Sequence, residues 1–388
     1  MSAAIPLIDT DSHVTEPPDL WTSRMASKWK DLAPRPVWVE EQGEEQWKVG
    51  DVFIEGVGRH STAGHTDFAP AHPLTLEDAD PASFDAKKRL ERLDEYGLQA
   101  QVLYPNIIAF STSEFLRVGE DFALDCVRAW NDFLAEWASV DRDRLLPLMM
   151  LPFWDVDLAV KEMHRALDLG HKGIVLAAHM ERGDLPPLWD EHWDPLLAAA
   201  QEAKTSINFH VGLNMPSAAD RQASWKTGID ESTVRTSQWM LGNAKAVADM
   251  STRGVCHKFP DLNFVSVESG AGWLPYLMEN LDWHWKNYGG LKAHPERELP
   301  SFYIRRQIYA TYWFENESVR ETIHLIPDNV MFESDFPHST SLSPGPASYA
   351  EQPRAMATES MLGVDESIVR KVFYETAAKV YNLPALPA

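Results

Sequence analysis

Eight short apolar runs, each followed by a segment with helical periodicity, constrain the fold of this 388-residue chain more than any other feature. The runs are IPLID (5–9), AQVLYP (100–105), LLPLMMLP (145–152), KGIVLA (172–177), SINFH (206–210), NFVSVES (263–269), IYATYW (308–313) and NVMFES (329–334). The predicted helices cover 84–97, 118–139, 156–169, 189–204, 235–258, 271–287, 317–325 and 365–381. Strands that alternate with helices pair in parallel through right-handed crossovers. The pattern therefore predicts an α/β fold.

Two α/β architectures satisfy this alternation, an open doubly wound sheet and a closed eight-stranded barrel. Eight units without a glycine-rich dinucleotide fingerprint favour the barrel, as one domain over 1–388. Residues 17–83 form an insertion between the first strand and its helix that is longer than an ordinary connection. Within it, RPVWVEEQ and EEQWKVGDVFIEG predict a hairpin. On a barrel this insertion leaves the catalytic rim, so we expect a lid or a wall of the substrate pocket, with a subunit contact as the alternative.

Charge and composition exclude several classes of function. With 58 acidic and 35 basic residues the chain carries a formal charge of −23, which disfavours binding to nucleic acid or to anionic lipid. The longest apolar run, 145–154, falls well short of the ~20 residues of a membrane span. Cys126 and Cys256 are too few for a disulfide scaffold, and the first residues lack the pattern of a secretory signal. We therefore expect a cytoplasmic enzyme with a small-molecule substrate.

Ionisable side chains stand at the carboxyl ends of four predicted strands. In IDTDSH, Asp11 and His13 are two residues apart, so both side chains point to one face of an extended strand end. His210 ends the fifth strand, Glu268 ends the sixth, and Asp335 follows the eighth. In a parallel barrel these strand ends converge on one site. Two histidines and several carboxylates at one point would repel each other or stay unsatisfied without a cation, so we predict a divalent-metal site.

The identity and number of the metal ions stay open at this stage, because imidazole and carboxylate ligands suit Zn, Mn and Fe alike. We expect one ion, and a second would fit if Glu268 and another histidine joined the site. His179, just beyond the fourth strand, could carry a proton or act as an extra ligand. His338, three residues after Asp335, could face the pocket or hold its loop.

Four further residues are candidates for contact with a substrate. Arg59 and His60 are adjacent in the glycine-rich part of the insertion, and His65 follows in the same segment. Arg59 could pair with an anionic group of the substrate or remain solvated. Trp273, after ESGAG, is expected near the rim of the barrel.

Together these motifs resemble the amidohydrolase-related branch of the amidohydrolase superfamily over nearly the whole chain. The resemblance is carried by IDTDSHVTEP, FHVG, VESGAGWLP, SDFPH and VFYETAAKVYNL. It implies a distorted (β/α)8 barrel in which Asp11, His13, His210 and Asp335 hold the metal, and a homodimer as is usual in the family. The branch includes metal-dependent, non-oxidative decarboxylases of carboxylated aromatic acids and of aminocarboxymuconate semialdehyde.

Two positions depart from those decarboxylases. Asp11 stands where they carry histidine or glutamate, and Glu268 stands where they usually place a histidine that assists proton transfer. A further carboxylate makes the site less hospitable to an anionic substrate and could serve as a general base toward water. This departure favours hydrolysis of an acyl bond over decarboxylation.

The hydrolase hypothesis assigns each residue a role. The metal lowers the pKa of its bound water toward about 7, Asp335 or Glu268 accepts the proton, and His179 or His338 protonates the leaving group. The substrate would be an amide, ester, thioester or lactone with a bulky apolar part. In the alternative, the metal orients an aromatic carboxylate and Asp335 protonates the ring carbon before CO2 leaves. A third hypothesis is a binding protein whose metal is structural, closed by four protein ligands.

Overall fold

A ring of eight buried parallel strands forms the centre of the protein, which a computed structural model describes over residues 5–183, 185–213 and 228–386. The strands of the described residues, in chain order, are β1 (Ile8–Val14), β2 (Arg35–Val39), β3 (Glu44–Val49), β4 (Val52–Gly56), β5 (Ala100–Pro105), β6 (Leu145–Pro147), β7 (Gly173–Ala177), β8 (Ser206–His210), β9 (Phe264–Val267), β10 (Ile308–Tyr312) and β11 (Val330–Phe332). Of these, β2, β3 and β4 lie in the insertion, and the other eight form the ring. All eight predicted strands are present, because each run is long enough and apolar enough to be buried on both faces.

The ring is built from two parallel sheets that meet at two seams. One sheet has the order β1-β5-β6 and the other the order β7-β8-β9-β10-β11. A single bridge joins Met149, just after β6, to Ile174 of β7, and another joins Ser12 of β1 to Phe336, beyond β11. The strands thus follow one another around a closed ring in which two of the eight contacts are irregular. This arrangement confirms the predicted distorted (β/α)8 barrel.

Helices separate the strands along the chain. Those of eight or more residues in the described ranges are Ala86–Tyr96, Glu120–Ala138, Val156–Leu169, Asp194–Glu202, Ile229–Met240, Asn243–Thr252, Leu274–Asn287, Pro300–Gln307, Glu317–Leu325 and Pro353–Ser360. Shorter helical segments are Leu20–Arg24, Ser27–Trp29, Leu76–Asp78, Pro81–Ser83, Ile107–Phe110, Thr112–Val118, Met180–Gly183, Glu191–Trp193, Val255–Lys258, Gly290–Ala293, Glu366–Arg370, Lys371–Glu375 and Thr376–Val380. In the described part of the chain, no helix is both long and apolar enough to span a membrane.

The helices differ from the prediction in two ways. The predicted helix 235–258 is three helices separated near Gly242 and Gly254, and the positive φ of Gly254 (94°) ends the helical run. The helices Pro300–Gln307 and Pro353–Ser360 were not predicted. Each begins with a proline, which is tolerated in the first helical turn because no hydrogen-bond partner for its N–H is available there.

The insertion contains a three-stranded antiparallel sheet of order β2-β3-β4 where a hairpin was predicted. The additional turn lies at Gly50, whose φ of 57° suits a tight reversal and divides EEQWKVGDVFIEG into two strands. Further along, Thr62 and Ala63 donate backbone hydrogen bonds of 2.9 and 3.0 Å to the carbonyl of Pro337. The insertion therefore contacts the loop that follows β11, while its action as a lid or pocket wall stays a prediction.

Candidate metal centre

The four predicted ligands meet at the carboxyl ends of the barrel strands. Asp11 and His13 lie on β1, His210 ends β8, and Asp335 follows β11 in a turn. The His13 Nε2 atom is 3.0 Å from His210 Nε2, 3.5 Å from Asp11 Oδ1 and 3.8 Å from Asp335 Oδ1. The His210 Nε2 atom is 3.6 Å from Asp11 Oδ2. All four side chains are buried, so the sequence-predicted cluster is assembled away from solvent.

The tautomers of the two histidines direct lone pairs toward each other. The Nδ1 atom of His13 lies 3.0 Å from the carbonyl of Pro105, and that of His210 lies 2.6 Å from the carbonyl of Val211. A carbonyl oxygen only accepts, so each Nδ1 carries the hydrogen and each Nε2 presents a lone pair. Two lone pairs at 3.0 Å repel unless a cation is bound between them. A backbone carbonyl on the second ring nitrogen is also the usual support of a metal-bound histidine.

The carboxylate of Asp11 also needs a cation beside it. Both of its oxygens are buried and accept no hydrogen bond from any described residue. Burial raises the pKa of Asp11 well above its ordinary value, and the negative charges of Asp335 and Asp9 raise it further. A buried carboxylate without a donor is costly, and a divalent cation removes that cost. The donors present, two imidazole nitrogens and two carboxylates, therefore fit a divalent metal ion.

Glu268 borders this cluster in a strained conformation. Its Oε2 atom lies 3.7 Å from His210 Nε2, and its φ of 55° is in the left-handed region. Asp335 has a φ of 57°, and left-handed non-glycine residues are uncommon and concentrate at functional sites. The Glu268 backbone N–H donates to Glu333 Oε2 and to Thr311 Oγ1, both at 3.2 Å. Burial raises the pKa of Glu268 well above its ordinary value, and the charges of Asp335, Asp11 and Glu333 add to this shift.

His338 both faces the cluster and holds its loop. Its Nδ1 atom lies 2.7 Å from Asp335 Oδ1, and its Nε2 atom lies 2.8 Å from Asn106 Oδ1. The His338 ring stacks on His13 with centroids 3.9 Å apart. Thr340 Oγ1 donates to the other oxygen of Asp335 at 2.5 Å. The loop after β11 thus fixes the orientation of the Asp335 carboxylate from two sides.

The remaining predicted residues divide into two groups. His60 lies beside His338, with ring centroids 5.3 Å apart, and Trp273, shortly after β9, donates its indole N–H to the carbonyl of Ser269. The other three have contacts elsewhere. Arg59 Nη2 lies 3.9 Å from Glu44 Oε1, the backbone N–H of His65 donates to the Thr62 carbonyl, and His179 Nε2 lies 3.1 Å from the Gly242 carbonyl. Within the described ranges, none of these three belongs to a group of potential metal ligands.

Two residues of the site, Asn106 and Phe110, are absent from the predicted set. The Phe110 ring lies over the cluster, with its centroid 5.9 Å from His13, 5.5 Å from His210 and 5.1 Å from His60. Asn106 and Phe110 both come shortly after β5. Residues that follow parallel barrel strands line one rim, and this rule gave the predicted ligands. It applies to β5 as well. It was not applied there because neither residue titrates.

Comparison with known proteins identifies the family and supports the fold. The sequence model described as amidohydrolase matches residues 8–383. The chain is similar to gamma-resorcylate decarboxylase from Rhizobium sp. strain MTP-10005, with 24% identity over 273 residues that cover 64% of this chain and 76% of that enzyme. A solved amidohydrolase from Mycobacterium avium subsp. paratuberculosis K-10 has 20% identity and a TM-score of 0.74 over 97% of this chain and 99% of that chain.

A further solved structure contains a metal. It is the 5-carboxyvanillate decarboxylase from Novosphingobium aromaticivorans DSM 12444, complexed with manganese and 4-hydroxy-3-methoxy-5-nitrobenzoic acid. Its identity to this chain is 16% and the TM-score is 0.68, over 98% of this chain and 97% of that chain. The structural likeness concerns the fold, and together with the buried donor set it supports a divalent-metal site.

The expectation of acyl-bond hydrolysis is wrong, since the relatives of known activity are decarboxylases. That expectation rested on Glu268 as a base toward water. The physical reason for the error is that a buried carboxyl group can deliver a proton to carbon as well as accept one from water. The residue types at the site are the same for both reactions, so the donor set alone did not distinguish them.

Proposed function

The chain belongs to the amidohydrolase family, and from this premise we propose that it is a metal-dependent, non-oxidative decarboxylase of a carboxylated aromatic acid. The observation that carries the proposal is the buried cluster of Asp11, His13, His210 and Asp335 in a chain similar to gamma-resorcylate decarboxylases. We propose manganese as the ion, since it is bound in the Novosphingobium decarboxylase. When bound, a divalent cation supplies a positive charge that attracts the substrate carboxylate and offsets negative charge formed during the reaction.

The reaction needs one proton at the carbon that carries the carboxylate. The proton adds to that carbon, the carbon–carbon bond to the carboxylate then breaks, its electron pair restores the aromatic ring, and CO2 leaves. We propose that Glu268 supplies this proton, because its carboxyl group is buried beside His210, where burial raises its pKa well above the ordinary value and so favours the protonated acid. Asp335, held by His338 and Thr340, is proposed to stay oriented toward the ion.

The walls of the site suit a flat, largely apolar substrate. Phe110 and His60 lie nearly parallel, with ring centroids 5.1 Å apart and an interplanar angle of 17°. Phe110 is half-buried, and its ring centroid lies 5.5 Å from that of His210. Aromatic rings attract one another in offset or edge-on arrangements, worth about 0.5–1.5 kcal/mol beyond the area that they bury. An aromatic acid is therefore favoured here over an aliphatic one.

Release of CO2 by the manganese-loaded protein tests the proposal. We expect CO2 from 2,6-dihydroxybenzoate or 5-carboxyvanillate, and in D2O one deuterium at the carbon that carried the carboxylate. Glu268→Gln should keep manganese and lose turnover, whereas Asp335→Asn should lose both, because only Asp335 is proposed as a ligand. A manganese-loaded protein that releases no CO2 from a panel of hydroxylated aromatic acids contradicts the proposal. The same result would favour a binding protein with a structural metal.

A further inference from the structure

The proposed metal ligands lie on both sides of one seam of the barrel. Asp11 and His13 belong to β1, whereas Asp335 follows β11, and the described residues join these two segments by an isolated bridge rather than by a regular ladder. The backbone contacts are His13 N–H to the Phe336 carbonyl, at 2.6 Å, and Asp335 N–H to the Asp11 carbonyl, at 2.9 Å. The distance between the ligands of the two segments therefore depends on few backbone hydrogen bonds.

A buried carboxylate, Asp9, spans this seam. Its Oδ1 atom accepts the backbone N–H of Ser334 at 2.7 Å, and its Oδ2 atom accepts the Ser334 hydroxyl at 2.5 Å. Oδ2 also accepts the side-chain amide of Gln101, on β5, at 2.7 Å. The two aspartates of IDTDSH thus differ sharply, because Asp9 is fully hydrogen-bonded whereas Asp11 has no donor among the described residues. This contrast makes Asp11 the ligand and gives Asp9 a different task.

Arg89 determines the direction of the hydrogen bonds in this network. It is fully buried in the helix Ala86–Tyr96, and its Nη2 atom donates to the His13 carbonyl at 2.6 Å. Its Nη1 atom lies 3.3 Å from Gln101 Oε1, and its guanidinium lies 4.5 Å above the Phe336 ring. An arginine cannot accept a hydrogen bond, so Gln101 must turn its oxygen to Arg89 and its amide N–H to Asp9. Asp9 is consequently the terminal acceptor of the chain of bonds.

We propose that Asp9, Arg89, Gln101 and Ser334 form a seam clamp, a set of positioning residues that holds Asp335 at binding distance from Asp11 and His13. The clamp contacts the backbone on both sides of the seam, through the His13 carbonyl and the Ser334 N–H. It touches neither the metal nor the substrate, and it acts through the ligands. The inference rests on the metal site of the proposed function but not on the reaction that takes place there.

The binding of manganese alone tests the clamp. In Asp9→Asn, the new amide N–H₂ group faces a donor, either of Ser334 or of Gln101. If the Gln101 side chain rotates so that its oxygen accepts from Asn at position 9, its own N–H₂ group then faces the Arg89 guanidinium, which also only donates. The network is then left with two opposed donors, and the seam must widen. We expect Asp9→Asn and Ser334→Ala to weaken manganese binding by about 10- to 100-fold, the range typical for changes to residues that orient metal ligands from outside the coordination sphere. Equilibrium dialysis against MnCl2 measures this without any substrate.

Glu162→Gln is the matched control. Glu162 is a buried carboxylate that accepts hydrogen bonds from Asn131 and Arg165, between the helices Glu120–Ala138 and Val156–Leu169. Its replacement should lower the thermal midpoint and leave the dissociation constant for manganese unchanged. The clamp is refuted if Asp9→Asn and Ser334→Ala lower the midpoint as Glu162→Gln does and bind manganese as the wild type does.

The same experiments also cover a variant that does not fold and a wild type that binds manganese without turnover. If Asp9→Asn does not fold, Ser334→Ala and Arg89→Lys decide the question, since each retains the Asp9 carboxylate. A wild-type protein that binds manganese but releases no CO2 contradicts the proposed function alone. The dialysis comparison then still supports or refutes the clamp.

Discussion

Replacing Gly212 by alanine should disturb the site through Phe110. Gly212 lies two residues after His210 and has a φ of +82°, which an L-residue rarely adopts. A Cβ atom at this position would lie 2.9 Å from Phe110 Cε1 and 3.3 Å from Cδ1. Because ordinary contacts of a Cβ begin near 3.4 Å, the phenyl ring would have to move by several tenths of an ångström. That ring lies 5.5 Å from His210 and covers the proposed metal site.

The cost of Gly212→Ala has two parts. The left-handed conformation costs an alanine about 1–2 kcal/mol. Forcing a methyl group into a packed contact costs about 1–3 kcal/mol more. We therefore expect the free energy of unfolding to fall by roughly 2–5 kcal/mol, and the KM of an aromatic acid to rise because Phe110 no longer keeps its position.

Gly363→Ala separates the two parts. Gly363 has a φ of +80°, and a Cβ at this position meets no atom within 4 Å, so this variant carries the backbone strain without the clash. Urea denaturation of both variants should give a larger loss for Gly212→Ala, and the excess should disappear in a Phe110→Ala background. Equal losses for the two glycine variants, with an unchanged KM for Gly212→Ala, would refute this account of the Phe110 contact.

Three other outcomes follow from the buried charges. Asp11→Asn should abolish manganese binding. It should also raise the thermal midpoint of the chelator-treated protein, because a buried carboxylate without a hydrogen-bond donor is removed. A lowered midpoint in the presence of chelator would contradict this. Manganese at 100 times its dissociation constant should raise the free energy of unfolding of the wild type by about 2.7 kcal/mol, measured by urea denaturation with and without chelator; overlapping curves would argue against a metal site. Burial raises the pKa of Glu16 from 4.5 to about 8, so the folded protein holds a proton that the unfolded chain has released, and this contribution to stability is lost as the pH rises from 4.5 to 8. Glu16→Gln should therefore gain stability relative to the wild type across this interval, by up to about 1.4 kcal/mol for each pH unit, and a difference that does not vary with pH would oppose this assignment.

The barrel and the meeting of the four proposed ligands could be predicted because both depend on local sequence patterns. Each central strand is a continuous apolar run, and His210 and Asp335 stand directly at or after such runs. The convergence of parallel strand ends then brings them together without further information. The three-stranded sheet of the insertion was only partly predicted, because its second turn depends on the positive φ of a single glycine, Gly50.

Other features of the site depend on contacts between distant segments and leave no local signal. The left-handed backbone of Glu268 is held by Glu333 and Thr311, which come much later in the chain. The sequence pattern marks Asp11 by its spacing from His13 but assigns no role to Asp9, whose hydrogen bonds with Ser334 and Gln101 join distant segments. The type of reaction was predicted wrongly for a related reason, since Glu268 suits either direction of proton transfer.

The seam between the first and last barrel strands affects when an ion can be bound during synthesis. Asp9 and Ser334 are 325 positions apart, and Asp335 leaves the ribosome long after Asp11 and His13. A nascent chain thus exposes two of the four proposed ligands early without being able to complete a coordination sphere. The proposed site can therefore be completed only after the segment beyond β11 has been synthesised, so the ion acquired would depend on which cations the surroundings then supply. A product truncated before β11 would keep three of the proposed ligands and lack the fourth.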